Sequence, residues 1–382
     1  MHQARRHIAL LSLLAVAACH APRPKDPVNE SKKLQDPVRL APFVIKARPD
    51  DRDDARMAVD AYDAGELFGR ASAAYRRMAW ASAAALFQQV SEEFPGSTFA
   101  SPALYNAGLA YERENDFQRA ATIYETLVAT YPSSPDVTDA LFRLTGAYEA
   151  LEMWEDADQT LDKLLSERRD LSAIERVECL SRKGAALIYL DRYVEARAAL
   201  NKAVMFFRSG SQIPPSASTY YYAMARFKLG EILEREMHAV ELPGVERLIA
   251  EALEEKCQLL LDAQSAYTEA IRVAHPHWAA AAAYRIGHLY RILWGDMMTA
   301  PPPKDLGEKE RDAYLDVLRK QIRVLLKKAV RQWERVLSMA DRLALSNEWV
   351  ARTEADLADI RAILALDPED GETEDEAGES EK

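Results

Sequence analysis

The chain contains few residues that could carry out catalysis or bind a metal. Its one histidine cluster is His275-Pro276-His277, and no cysteine or acidic pair follows it at the spacing of a metal site. The sequence has no glycine-rich phosphate loop, no Gly-x-Ser-x-Gly elbow and no His-Glu-x-x-His motif. His238 and His288 stand alone, whereas catalysis needs several groups that converge in one pocket. We therefore expect a non-enzymatic protein without a metal or a cofactor.

The residue best placed for a covalent modification is Cys19. Two arginines precede an apolar run from Ile8 to Ala18, which is too short to span a bilayer and has the layout of a cleaved secretion signal over residues 1–18. The ending Leu-Ala-Val-Ala-Ala-Cys resembles the bacterial lipobox, in which the cysteine becomes the first mature residue and is acylated. This resemblance implies lipid attachment at Cys19. Because His20 rather than an aspartate follows, it also implies the periplasmic face of the outer membrane. The alternative is an ordinary signal peptide with an incidental cysteine.

A long repeat organises the rest of the sequence. Four aromatic residues recur 37, 37 and 39 residues apart, namely Trp80, Phe117, Trp154 and Tyr193. An alanine follows each of them after three residues, and a large apolar residue follows after seven. Self-similarity at this period indicates an array of supersecondary units that stack on one another.

One unit, residues 101–132, shows what each repeat contains. Leu104, Gly108 and Tyr111 lie on one face of a first helix, and Asn115-Asp116 supplies a turn. A second amphipathic helix follows and ends before Pro132, whose ring and missing amide cannot continue it. This pattern resembles the tetratricopeptide repeat (TPR). The resemblance implies an all-α, TPR-like α-solenoid of antiparallel helical hairpins, with about four repeats over residues 59–208.

The pattern loosens over residues 209–366. Ile286-Gly287 resembles part of a first TPR helix, and a Pro-rich insertion follows at residues 301–303. We expect longer, irregular helices here, at roughly 244–274 and 309–343, within a TPR-like helical domain. Apolar residues at three-and-four spacing predict one buried stripe on the second long helix, which consists of Leu315, Leu318, Ile322, Leu325, Ala329, Trp333 and Val336. We expect a neighbouring helix of the same chain to bury this stripe. The alternative is a helix of a partner protein or of a second copy.

Both ends of the chain have compositions that do not predict a packed core. Residues 19–58 contain six prolines among charges, which predicts a disordered tether. Residues 367–382 contain nine carboxylates and one lysine, a net charge of −8 out of −12 for the whole chain. We interpret this segment as a disordered acidic tail that aids solubility, or alternatively docks on a basic partner. No Lys/Arg block of the kind that suggests nucleic-acid binding is present.

A candidate partner-binding groove follows from the repeat pattern. In TPR arrays the first helix of each hairpin lines the concave side, and Phe68, Tyr105 and Phe142 occupy one equivalent position there, 37 residues apart. Such an aromatic ladder could grip an extended peptide or a helix. Alternatively, the three rings pack between adjacent repeats. Further candidate groove residues are Tyr75, Arg76, Asn106, Arg113 and Tyr189.

Anchor, tether and repeats together resemble the bacterial outer-membrane TPR lipoproteins. Linkers such as Pro-Gly-Ser-Thr-Phe-Ala resemble those of the TPR lipoprotein of the β-barrel assembly machinery and of the TPR protein associated with the Tol-Pal system, over roughly residues 60–170. The resemblance implies a scaffold that holds envelope proteins together in barrel assembly, secretion or pilus formation, motility or wall synthesis. The alternative is a lipoprotein that captures peptides or glycans for an outer-membrane transporter. An enzyme is the least favoured class. The partners, the oligomeric state and the pairing of Cys179 with Cys257 stay open.

Overall fold

The computed structural model describes residues 42–50, 53–209, 219–243, 246–302 and 307–366. These residues form an antiparallel pair of strands followed by helices, and the fold is an all-α, TPR-like solenoid. The elements are β1 (Phe43–Asp50), β2 (Asp53–Asp63), α1 (Ala64–Arg76), α2 (Trp80–Glu93), α3 (Ala100–Arg113), α4 (Phe117–Thr130), α5 (Asp136–Ala150), α6 (Trp154–Glu167), α7 (Ala173–Tyr189), α8 (Tyr193–Ser209), α9 (Tyr220–Ala239), α10 (Glu246–Arg272), α11 (Pro276–Thr299), α12 (Glu308–Leu343) and α13 (Glu348–Leu366).

Each of the first four hairpins turns in the same way. The turn between its two helices contains one residue in the left-handed region of backbone space: Met78, Asn115, Glu152 and Asp191, with φ of 61°, 58°, 58° and 57°. These residues are 37, 37 and 39 positions apart, so the turns share the period of the aromatic residues. Asp116 then caps α4 by accepting a hydrogen bond from the Arg119 amide. This local geometry reverses the chain and lays the two helices of each hairpin side by side.

A small residue on the first helix and a large one on the second bring the helices together. At Gly108, an added Cβ would lie 2.4 Å from the ring of Tyr124, which is fully buried. At Gly184, it would lie 2.4 Å from Leu200. The absence of a side chain at these two glycines is therefore what allows the close approach, since interiors pack with few voids and no overlaps.

The C-terminal half keeps the same packing with longer helices. An added Cβ at Gly230 on α9 would lie 2.6 Å from Tyr267 on α10, and one at Gly287 on α11 would lie 2.2 Å from Trp333 on α12. Each large residue again follows an alanine by four positions, as Tyr124 follows Ala120. The expected longer helices are therefore present, and α9–α10 and α11–α12 are lengthened TPR-like hairpins. The repeat was hard to detect in the sequence because the glycine and its large partner lie 37 and 46 residues apart, instead of 16.

Helix α9 belongs to the cores on both of its sides. Ala225, Leu229 and Ile232 pack with buried residues of α7 and α8. Phe227 and Met237, on the other face, pack with α10 and α11. One helix thus joins the first four hairpins to the later ones.

The two long helices lie where their apolar patterns predict them, at Glu246–Arg272 and Glu308–Leu343. On α12 the buried stripe is Ile322, Leu326, Ala329, Trp333, Val336 and Ala340, whereas Leu315, Leu318 and Leu325 are half-buried. Helices α11 and α13 of the same chain cover this stripe. The favoured interpretation, burial against a neighbouring helix of the same chain, agrees with this packing.

The end of the expected tether is folded. β1 pairs with β2 in an antiparallel hairpin, so the expectation of disorder over residues 19–58 is wrong for residues 43–50 and 53–58. The hairpin packs on the first repeat through Val44 and through Tyr62, which is buried and donates a hydrogen bond of 2.7 Å to Glu93 on α2. Val44 and Tyr62 lie opposite each other on the paired strands and face the first repeat, whereas Phe43 and Ile45 are exposed, so the contact is not apparent from composition. The first TPR helix begins at Ala64, five residues after the expected start of the repeat array at residue 59.

Several predictions concern residues outside the described part of the chain. These are the secretion signal, Cys19, the tether up to residue 41 and the acidic tail from residue 367. Within the described residues, no helix combines the length and the hydropathy that crossing a membrane requires. Cys179 is buried, Cys257 is exposed, and both are free thiols. Burial raises the pKa of the Cys179 thiol to about 12, so it is unreactive at neutral pH.

Candidate functional site

The three aromatic residues of the expected ladder do not share one environment. All three are half-buried. The ring of Phe68 lies between Phe87 and Phe99, with centroids 5.2 Å and 5.3 Å away, so it packs within the array. Tyr105 and Phe142, by contrast, line a cleft on the inner side of the solenoid. The ladder thus contributes two residues to this cleft. Phe68 instead packs between adjacent repeats, which is the alternative considered for all three rings.

The other five candidate residues do not line this cleft. The ring of Tyr75 packs edge-on against Trp80, and Tyr189 stacks on Trp154 with centroids 4.0 Å apart. The Asn106 side chain donates to the Pro102 carbonyl. Arg76 and Arg113 are exposed in the last turns of α1 and α3.

We define the inner cleft as the concavity of about 710 Å³ formed by α3, α5, α7 and α9, with Phe117 contributed by α4. Four first helices of successive hairpins meet there, as expected for the concave side of a TPR array. The lining residues are Tyr105, Glu112, Phe117, Asp139, Phe142, Arg143, Gly146, Ala147, Glu149, Glu175, Glu178, Arg182 and Tyr221.

Ion pairs between successive repeats form the floor of the inner cleft. Arg143 on α5 lies 3.2 Å from Glu112 on α3. One repeat further, Arg182 on α7 makes two hydrogen bonds of 2.9 Å to the two carboxylate oxygens of Glu149 on α5. A glutamate late in one first helix therefore meets an arginine of the next first helix.

Arg182 is the most heavily engaged of these groups. It is buried, and it donates further hydrogen bonds to Glu178 at 3.1 Å and to the Phe142 carbonyl at 3.3 Å. Burial alone would lower the pKa of its guanidinium, but the bonds and charges of Glu149 and Glu178 outweigh it and raise that pKa. Bidentate guanidinium–carboxylate pairs also fix orientation, so Arg182 holds α5 and α7 in register.

The same contact recurs outside the inner cleft, in the C-terminal half. Arg285 on α11 lies 2.8 Å from Glu234 on α9. Glu234 is buried and also accepts a hydrogen bond of 2.6 Å from Tyr267, and its carboxylate lies 3.2 Å from Nδ1 of His288. Burial opposes ionisation of Glu234, but these partners together lower its pKa below the ordinary 4.5.

The inner cleft carries an excess of negative charge. Its lining contains five carboxylates (Glu112, Asp139, Glu149, Glu175 and Glu178) and two guanidiniums, a net charge of −3. Both guanidiniums are held by carboxylates of the cleft itself. What the cleft offers to a ligand is thus carboxylate oxygen and aromatic surface, which suits cationic side chains.

Tyr221 on α9 closes the far end of this surface. Burial raises the pKa of its phenol, and the nearby Glu178 adds to that rise. The phenol therefore stays protonated at neutral pH and remains a hydrogen-bond donor.

The charged residues of the cleft were missed in the sequence, although a signal existed. Glu112 and Glu149 are 37 residues apart, and Arg143 and Arg182 are 39 apart, so both pairs follow the repeat. Charged positions at helical spacing normally mark a solvated face, so the spacing within one helix gives no sign of a pairing between repeats. Among the described residues, no group of three or more His, Cys, Asp or Glu side chains is arranged to hold a metal ion.

Comparison with known proteins agrees with the helix packing. The tetratricopeptide repeat family model matches residues 67–97, 102–134 and 139–170. These three repeats correspond to the hairpins α1–α2, α3–α4 and α5–α6, so this part of the chain consists of TPR repeats. Such repeats generally form non-catalytic scaffolds for protein–protein interactions. No curated protein matches the chain in sequence.

Solved structures similar to the chain include the following three. MamA from Desulfovibrio magneticus RS-1 is 15% identical, with 52% of this chain and 93% of that one covered and a TM-score of 0.35. A tetratricopeptide repeat protein from Parabacteroides merdae ATCC 43184 is 15% identical, with 78% and 98% covered and a TM-score of 0.38. YrrB, described as a TPR protein with an unusual peptide-binding site, is 18% identical, with 64% and 91% covered and a TM-score of 0.36. These superpositions are too loose to support an argument about function.

Proposed function

We propose that this protein is a non-enzymatic scaffold of the bacterial cell envelope, whose inner cleft binds a cationic segment of a partner protein. The observation that carries the proposal is the composition of the cleft: net charge −3, with Tyr105, Phe142 and Tyr221 beside the carboxylates. A lysine- or arginine-containing peptide would satisfy the carboxylates, and its aliphatic stems would cover the rings.

The envelope location rests on Cys19. A lipobox-like cysteine after an apolar signal supports acylation, and His20 supports the outer membrane over the inner one. Several acyl chains, at about 0.8 kcal/mol per buried methylene, would hold the protein at the periplasmic face. The repeats would then present the inner cleft to a component of an envelope machine for barrel assembly, secretion or pilus formation, motility or wall synthesis.

A photo-crosslinking experiment in intact cells tests the proposal. A photoreactive phenylalanine is placed at Phe142 in the inner cleft and, as a control, at Glu92, which is exposed on the second helix α2. We expect a partner to crosslink from position 142 but not from position 92, and the attached peptide to be net basic by mass spectrometry. Equal crosslinking from both positions, or an acidic attached peptide, would contradict a cationic ligand in the cleft.

In the same cells, Cys19→Ser should abolish palmitate labelling and move the protein out of the membrane fraction.

Binding measurements then test the charge argument. Asp139→Asn combined with Glu178→Gln should weaken affinity for the crosslinked segment by about threefold per lost carboxylate, with the loss shrinking at high salt. The matched control is Glu92→Gln with Glu167→Gln, two exposed carboxylates outside the cleft. If the control pair weakens binding as much as the cleft pair, the effect is one of net charge and the cleft is not the site.

A further inference from the structure

A second concavity lies at the opposite end of the solenoid, away from the inner cleft. It has a volume of about 690 Å³ and is formed by α11, α12 and α13. Trp294, Met298 and Ile363 supply an apolar wall, and Arg319, Lys320 and Arg323 supply positive charge. We call it the basic cleft. Its lining contains one carboxylate, Asp316, which lies 3.4 Å from Arg319.

The positive charge of the basic cleft continues along α12. Residues 319–335 contain seven lysines and arginines and one glutamate, a net charge of +6 in a chain of net charge −12. These residues are dispersed in the sequence, so no basic block stands out, but one helix gathers them. Lys320, Lys328 and Arg331 are exposed, as is the apolar Val324 among them.

The chain leaves its last helix at this cleft. α13 packs against α12, and the Arg323 guanidinium donates a hydrogen bond of 3.0 Å to the carbonyl of Leu364. α13 ends two residues later, at Leu366. The next sixteen residues, 367–382, carry a net charge of −8. The most acidic segment of the chain thus begins beside its most basic helix.

We propose that residues 367–382 dock on the basic cleft of the same chain, with their carboxylates against Arg319 and Lys320. Opposite charge provides the attraction, and connectivity provides an effective concentration on the order of millimolar for so short a link. The cations of the basic cleft would also offset the repulsion between the acidic segment and the negative end of the α13 dipole, next to which that segment starts. The chain would thereby cover its own basic surface and leave the inner cleft free for a partner.

The test uses two full-length chains with Cys19→Ser: one has the native tail, and the other has its nine tail carboxylates replaced by the corresponding amides. The probe is a synthetic, fluorescently labelled peptide of residues 367–382. We expect the peptide to bind the neutral-tail chain at least tenfold more tightly than the native chain, in which the tail already occupies the cleft. Binding should weaken at least tenfold between 50 and 300 mM salt. Equal binding to both chains, or no binding to the neutral-tail chain, would overturn the proposal.

Charge reversal locates the contact. In the neutral-tail chain, Arg319→Glu with Lys320→Glu should weaken peptide binding at least tenfold. The matched control is Arg331→Glu with Arg335→Glu. Both residues are also exposed on α12, and Arg331 lies about 18 Å along the helix from Arg319. The control pair should change binding less than threefold. Equal loss from both pairs would show diffuse attraction to the helix and overturn docking in the cleft.

Further measurements distinguish docking of the tail from binding of a second copy or a membrane surface in the basic cleft. The peptide should change the tryptophan fluorescence of the neutral-tail chain, and Trp294→Phe should remove that change, because Trp294 lies in the cleft wall. A native chain that forms tail-dependent dimers on sedimentation would assign the tail to a second copy, against the proposal. A neutral-tail chain that binds phosphatidylglycerol vesicles but not the peptide would assign the cleft to a membrane surface, also against it.

Discussion

At the scale of single residues, ion pairs join successive repeats of this solenoid. Glu112–Arg143, Glu149–Arg182 and Glu234–Arg285 each connect the first helix of one hairpin to the first helix of the next. Exposed ion pairs contribute little to stability. Removing one partner of a partly buried pair is costly, because the other charge then stays buried without its partner. We therefore expect these pairs to set how neighbouring hairpins are aligned.

Glu234 allows a test through pH. Its pKa is lowered in the folded state, so its ionised form stabilises the fold above the ordinary value of 4.5, and this contribution is lost as pH falls through the folded value. Glu234→Gln should lower the free energy of unfolding by about 1–3 kcal/mol at pH 7, because Arg285 loses a charged partner. In urea titrations the difference between variant and wild type should shrink below about pH 4.5. A difference that stays constant from pH 7 to pH 4 would show that the carboxylate charge is not what stabilises the fold.

At the scale of elements, each of the first four hairpins has a turn residue in the left-handed region. A non-glycine residue in the left-handed region costs about 1–2 kcal/mol relative to the right-handed one, with asparagine penalised least. The first hairpin places Met78 in that conformation, and the second places Asn115 there. The turn has the same geometry in both hairpins, but its residue suits that geometry much better in the second.

Glycine substitution tests this difference. Met78 is 73% exposed, so Met78→Gly loses almost no packing and should raise the free energy of unfolding by about 0.5–1 kcal/mol. Asn115→Gly, the matched control in the next hairpin, should change it by a few tenths at most. Thermal unfolding followed by circular dichroism measures both. Equal stabilisation at the two positions would mean that side-chain identity in the turn does not matter.

At the scale of the whole molecule, α9 decides whether the chain behaves as one unit. The helix is shared between the core of the fourth hairpin and that of the C-terminal half, so neither core is complete without it. Stability in a solenoid is the sum of repeats and their interfaces, and a strong shared interface keeps the array cooperative. We expect a single unfolding transition for the wild-type chain.

Breaking one face of α9 should uncouple the two parts. Ala225 is fully buried against the fourth hairpin, and Ala225→Asp places an unpaired charge there at a cost of about 3 kcal/mol or more. Calorimetry should then resolve two transitions. Ala239→Asp makes the same chemical change at the exposed end of α9 and should leave one. Two transitions already in the wild type would show that α9 does not couple the parts.

The sequence by itself was sufficient to predict the helical hairpins. The 37-residue period, the Asn115-Asp116 turn and the extents of α10 and α12 follow from three-and-four spacing, turn chemistry and helix-ending residues, all of which act within a few positions along the chain. The pairing of Gly108 with Tyr124 also belongs here, because both positions match the TPR pattern.

Tertiary structure alone decided which residues form the inner cleft and how its charge is balanced. Phe68, Tyr105 and Phe142 are equivalent in sequence, yet two of them line the cleft and the third packs against Phe87 and Phe99. Arg182 reaches Glu149 across 33 residues, and β1 and β2 fold where composition indicates disorder. Such contacts depend on the angle at which one hairpin stacks on the next and on the surface that a neighbouring element provides. No pattern confined to one helix specifies that angle, because it results from the sum of packing contacts along the whole array.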